Sequence, residues 1–187
     1  MNKATYLNNQ FIIAMPGLAD PDFFHSVTYL CQHNEEGALG IVINREAGMT
    51  MGDIFMQMNI PVTSSTASDV QVFAGGPVQQ ERGFVIHTVG TKWDITMPIS
   101  DSIALTTSRD IIEAIALDKG PEHYLVALGY AGWGEGQLEQ EILANAWLNT
   151  AFNRGVLFDT PVDQRWQGAA QPLGINMHQL TTQAGHC

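Results

Sequence analysis

The run Leu128–Leu148, LGYAGWGEGQLEQEILANAWL, decides how this chain is read. Gly129, Gly132, Gly134 and Gly136 stand between the apolar Tyr124–Leu128 and a helix pattern that begins near Gln137. Glycine reaches backbone angles closed to other residues and lets a second backbone or a ligand approach closely. The spacing predicts a strand ending at Leu128, a glycine loop that presents Tyr130 and Trp133, and a helix over 137–148.

Working outward, Phe11–Ala14, Val27–His33 and Gly37–Asn44 read as strands, with a hairpin at Asn34–Gly37. Asp20-Pro21 reads as a cap followed by one helical turn. Thr50 caps a short helix to Asn59, with Asp53 three residues on. Residues 63–68 read as a surface loop. Val70–Ala74, Phe84–Val89 and Ser102–Leu105 are further strands, and Gly75-Gly76-Pro77 is a turn. Ser108 caps a helix to about Asp118, closed by Gly120 and Pro121. A last helix spans about Pro161–Leu173, and a mobile tail is expected from His178. Strands outnumber helices and neighbours join through short turns, which predicts one α+β domain with mostly antiparallel pairing.

Composition narrows the partners. The formal net charge is -11 with only eight Lys plus Arg, spread singly along the chain. Direct nucleic-acid binding needs clustered cations, so it is not expected. Two cysteines, Cys31 and Cys187, make no disulfide framework. No run approaches a membrane span, and a cytoplasmic protein is expected.

Several blocks, in order, resemble the bacterial YqgE/AlgH family: FIIAMPGLADPDFFHSVTYLCQH (11–33), GALGIVINR (37–45), FAGGPVQQERGFVIH (73–87), TTSRDIIEAIALDKGP (106–121), the glycine block and FDTPVDQRW (158–166). The family places Pro after the Asn-Arg pair, where Glu46 stands here. The resemblance implies a branched, mostly antiparallel sheet with a small barrel-like core surrounded by helices. It implies no defined activity, although some members are called transcriptional regulators.

Cys31 and His33, two apart on a strand, would share a face, as thiol catalysis or zinc binding requires. No metal-ligand spacing completes such a site, so a buried thiol and a satisfied imidazole are expected instead, with no metal and no cofactor. His25-Ser26 lacks a nucleophile elbow. The glycine loop does not match a dinucleotide fingerprint, and Glu135, Glu139 and Glu141 repel phosphate. Met49, Met51, Met56 and Met58 mark a candidate mobile lid.

The expected function is therefore binding without catalysis, of a protein or a small molecule, in a regulatory or accessory role. The expected surface gathers Asp20, Ser26, Asn44, Arg45, Gly75, Gly76, Tyr130 and Trp133. The alternatives are a hydrolase or thiol-dependent enzyme using His25, Ser26, Cys31, His33 or His87, and a transcriptional regulator that acts through protein partners.

Overall fold

The computed structural model describes residues 5–183. In chain order the elements are β1 (Gln10–Ala14), β2 (Val27–Asn34), β3 (Gly37–Val42), β4 (Glu46–Thr50), α1 (Met51–Gln57), α2 (Ser65–Ser68), β5 (Gln71–Ala74), β6 (Val78–Thr88), β7 (Thr96–Pro98), β8 (Ile103–Thr106), α3 (Arg109–Ala116), β9 (Tyr124–Trp133), α4 (Gln137–Leu143), β10 (Trp147–Ala151), α5 (Arg154–Phe158), α6 (Arg165–Ala170) and α7 (Met177–Gln183). The strands run β10-β1-β2-β3-β9-β6-β8-β7, with β5 branching from β9 and β4 pairing β5. Among the described residues only the β5–β9 pair is parallel. The result is an α+β fold whose sheet curls into a half-barrel surrounded by helices.

The branch sits on β9. Its first half pairs β6 on one side and β5 on the other, through Phe73↔Ala127 and Ala74↔Leu128. Its second half pairs β3, through Ala38↔Trp133 and Gly40↔Ala131. Gly129 lies between the halves at φ +76°. The Gly75 N–H donates to the Leu128 carbonyl, and the Gly75 carbonyl accepts from Val42 N–H, both at 2.8 Å. One glycine thus bridges β9 and β3 where the sheet divides.

Tyr124–Trp133 is therefore one strand, and the expected glycine loop begins only after Trp133. The glycines serve close backbone approach within the sheet rather than a break in it. A Cβ on Gly76 would lie 2.1 Å from the Tyr130 carbonyl carbon, and one on Gly129 would lie 2.4 Å from the Gly76 oxygen.

Other boundaries also differ from expectation. The 137–148 helix stops at Leu143, because Asn145 takes φ +59° and Trp147 opens β10 against Ala14. The 63–68 loop contains α2, whose Ala67 N–H is capped by the Ser64 hydroxyl at 3.1 Å. β4 and β7 are short strands that no alternation announces. The 161–173 helix is α6 flanked by single 3-10 turns, ended by Gly174 at φ +69°. The segment expected to be mobile from His178 continues as α7; Cys187 lies outside the described residues.

Three apolar clusters hold these elements. Phe11, Tyr29, Ile41, Ile86, Trp166 and Met177 pack inside the curl beneath α5–α7. Met51, Phe55, Val85, Ile111, Ile115 and Val126 join α1 and α3 to the sheet. Ile111, Ile112, Ile115 and Ala116 are the buried face that a four-residue repeat gives α3. Ile12, Leu30, Trp133, Leu138 and Trp147 form the third cluster, under α4.

Gly76→Ala should cost roughly 3 kcal/mol or more in urea unfolding, because the clash is with backbone at the branch. Gly90→Ala, where a Cβ meets nothing within 4 Å, should be close to neutral. Equal midpoints for the two variants would refute the branch as a packing constraint.

Candidate functional site

Asn44 and Arg45 fasten the Asp20–Ser26 turn. Arg45 Nη1 donates to the Pro21 carbonyl at 2.9 Å and also to the Asp22 carbonyl; Nη2 donates to Phe24 O at 2.8 Å. Asn44 Nδ2 donates to the His25 carbonyl, and its Oδ1 accepts from Val27 N–H, both at 2.9 Å. The Asp20 carboxylate accepts from Asp22 N–H at 2.9 Å and its carbonyl from Phe24 N–H at 2.8 Å. Ser26 is fully buried, and its hydroxyl has no partner among the described residues.

The turn connects onward to the glycines. The Arg45 carbonyl accepts from Ala74 N–H at 2.8 Å, and Gly75 and Gly76 then pack on Gly129 and Tyr130. The half-buried Tyr130 meets Phe84 edge-on at 5.5 Å. Trp133 is 6% exposed, packed at 6.0 Å from both Phe23 and Trp147, so it is not the exposed anchor that a glycine loop would have made of it. The segments are contiguous, but the bonds that join them occupy many of the groups a ligand would use.

The reactive side chains are separated. A β-bulge between Leu30 and Gln32 shifts the register of β2, so Cys31 enters the first cluster. His33 falls opposite Ala38, which packs on the third cluster. The two residues do not share a face as regular alternation predicts, because a bulge inverts it. Burial pushes the Cys31 thiol well above its ordinary pKa, the reverse of what a nucleophile needs. His33 Nδ1 accepts from Leu7 N–H at 2.9 Å, which places the ring proton on Nε2, facing Glu139 at 2.7 Å. His25, at φ +54°, is stacked between Phe24 and Trp166 at 3.8 and 3.9 Å. Among the described residues, no three His, Cys, Asp or Glu side chains gather to hold a metal ion.

His87 meets a hydroxyl. Its Nδ1 lies 2.9 Å from the Thr88 carbonyl, which only accepts, so Nδ1 carries the proton. Nε2 then accepts from the Thr106 hydroxyl at 2.7 Å, and Thr96 lies 2.8 Å behind Thr106. This is base and alcohol geometry. Thr106 also lines a cleft between α1, β6 and α3, yet it is fully buried and its hydroxyl is held between His87 and Thr96. The arrangement satisfies a buried histidine.

The cleft between α1, β6 and α3 has a volume of about 490 Å³, and no local motif announces it. Val85, Val126 and Leu128 supply its apolar floor, Ile54 and Ile112 its walls, and Gln57, Glu81, Ser108 and Arg109 polar groups. Arg109 Nη2 donates to the Met58 carbonyl at 2.8 Å and Nε to Glu113 at 2.6 Å, tying α3 to the end of α1. The signal lay in two blocks of the resemblance, 73–87 and 106–121, but each alone reads as a strand or a capped helix.

Arg45→Ala should loosen the 20–26 turn by about 1–2 kcal/mol, seen as faster amide exchange at Phe23, Phe24 and Ser26. Unchanged exchange there would show that the turn holds itself. Burial lowers the His87 pKa, with the Thr88 carbonyl acting in the opposite direction; His25 is lowered too. A folded pKa below the unfolded value of about 6.5 means that the unfolded chain takes up the proton first. The His87 contribution should be intact above about pH 6.5 and be lost as pH falls toward the folded pKa. His87→Gln should flatten that part of the decline in urea midpoints; identical slopes would exclude His87 as its source.

A family model described as AlgH-like (DUF179) matches residues 11–178. A UPF0301 protein of Thioalkalivibrio sulfidiphilus is 53% identical over the full length of both chains. One from Alcanivorax borkumensis is 51% identical, covering 97% of this chain and 96% of its own. The solution structure of the AlgH protein from Pseudomonas aeruginosa is 44% identical, with TM-score 0.81 over 100% of this chain and 99% of that one. The crystal structure of a Corynebacterium diphtheriae protein shares the fold at 16% identity and TM-score 0.73, over 97% and 94% of the two chains. This chain belongs to the AlgH-like (UPF0301, DUF179) family.

Proposed function

We propose that this protein binds without catalysing, in a regulatory or accessory role, and that its ligand is a small, largely apolar molecule seated between α1, β6 and α3. The observation that carries this reading is the cleft itself. Its volume lies in the range of small-molecule sites, and its floor is apolar with a few polar groups at hand. A second hollow, among Asn153, Thr160, Gln164 and Gln167, is lined mainly by amides and hydroxyls and offers no comparable floor. The separation of Cys31 from His33 and the enclosure of Thr106 argue against the enzyme alternatives.

Docking of a protein partner is the second reading. A hollow of about 270 Å³ beside Tyr130, Gly132 and Trp133 favours it, as does Phe24, 49% exposed on the turn that Arg45 fastens. The net charge of -11 favours a protein over a nucleic acid there.

Methyl-detected NMR against a library of small apolar metabolites tests the leading reading. Binding should shift Ile54, Val85, Ile112, Val126 and Leu128 without consuming the ligand. Gly83→Leu should abolish those shifts, because Gly83 lines the cleft and a Cβ there meets nothing within 4 Å. Shifts gathered instead at the Ala38 and Leu39 methyls, beside Tyr130 and Trp133, would favour the second reading, and turnover of a ligand would defeat both.

A further inference from the structure

Three strands end the sheet, and only one is built to be paired. β7 is short and contains Pro98, which has no N–H to offer. β4 carries Glu46, a register break and Gly48 at φ +76°. Charge, proline and bulges are how edge strands resist association. β10, Trp147-Leu148-Asn149-Thr150-Ala151, has none of them. It pairs β1 along its whole length and makes no backbone bond on its other side among the described residues.

The charge pattern singles out the same edge. Residues 4–19, 142–153 and 166–187 contain no Asp, Glu, Lys or Arg, in a chain of net charge -11. These segments meet: Asn8, Gln10, Asn149, Phe152, Pro172 and Leu173 line one open depression. Two copies of so acidic a chain repel one another, and this neutral face is where they approach at least cost. The edge is also self-complementary. Antiparallel pairing about a two-fold at Asn149 sets Leu148 opposite the partner's Thr150. It also brings the Leu143 end of each copy toward the Leu173 end of the other. Leu143 is 82% exposed and Leu173 is 42% exposed.

From this we infer that the occupant of the β10 edge is a second copy of this chain, in a two-fold dimer whose sheets join through antiparallel β10–β10 pairing. The inference is independent of the ligand cleft, which lies on other strands.

Sedimentation across micromolar to sub-millimolar concentrations tests it, with two variants of equal charge. Asn149→Asp places like charges opposite one another at the two-fold; Thr91→Asp adds the same charge on the exposed loop after β6. Wild type and Thr91→Asp should dimerise, and Asn149→Asp, confirmed folded by circular dichroism, should weaken the dimer by about tenfold or more. In the wild type, amide protection of Leu148–Ala151 should rise with protein concentration. A monomer throughout the range overturns the inference and leaves the edge to an extended segment of another protein. Equal weakening by both variants, or a dimer indifferent to Asn149→Asp, overturns it as well.

Discussion

Close backbone contact on β9 is the constraint on which the rest of this structure depends. One strand must serve β6 along one edge while β5 and then β3 take turns along the other. That exchange requires Gly75, Gly76 and Gly129 to pass within distances no side chain permits. Because β3 joins there, β2, β1 and β10 follow it, and with them the first and third clusters. Because β5 joins there, β4 and α1 are drawn over the same face as α3, and the cleft between them exists.

The same junction explains what was legible in the sequence. Alternation and β-branched content marked β1, β2, β3, β5 and β8, and Thr50 with Asp53 marked α1 through a complete capping box. These are local signals, read within a few residues. β9 was misjudged because glycine in sequence signals a turn, while here it answers a distant backbone. β10 was hidden because Leu138, Ile142 and Ala146 continue a helical rhythm that Asn145 breaks with a left-handed backbone. The Cys31–His33 face was misjudged because a bulge has no residue signature of its own.

Candidate residues were legible in proportion to their locality. Asn44-Arg45 and Asp20–Ser26 were singled out separately, and the fold joins them, since an arginine after a strand seeks carbonyls that a nearby turn leaves free. Trp133 was read as exposed because its strand was read as a loop. The cleft could not be read at all. Its lining comes from four stretches, each of which looks like ordinary core or an ordinary amphipathic helix until the sheet sets them face to face.

What the fold does with its reactive groups bears on function more than their presence does. A nucleophile needs an accessible thiolate or alkoxide, a base within reach and room for a substrate. Here Cys31 is buried among apolar side chains, which raises its pKa and shields it. His33 is held at both nitrogens, His25 is stacked between two rings, and His87 and Thr106 satisfy one another in the interior. Each group is spent on holding a strand or a turn in place. The cleft, by contrast, presents an apolar floor with polar groups around it, and Arg109 fixes one wall against the other. A surface of that kind recognises shape and apolar area, so selectivity would rest on how well a ligand replaces water there.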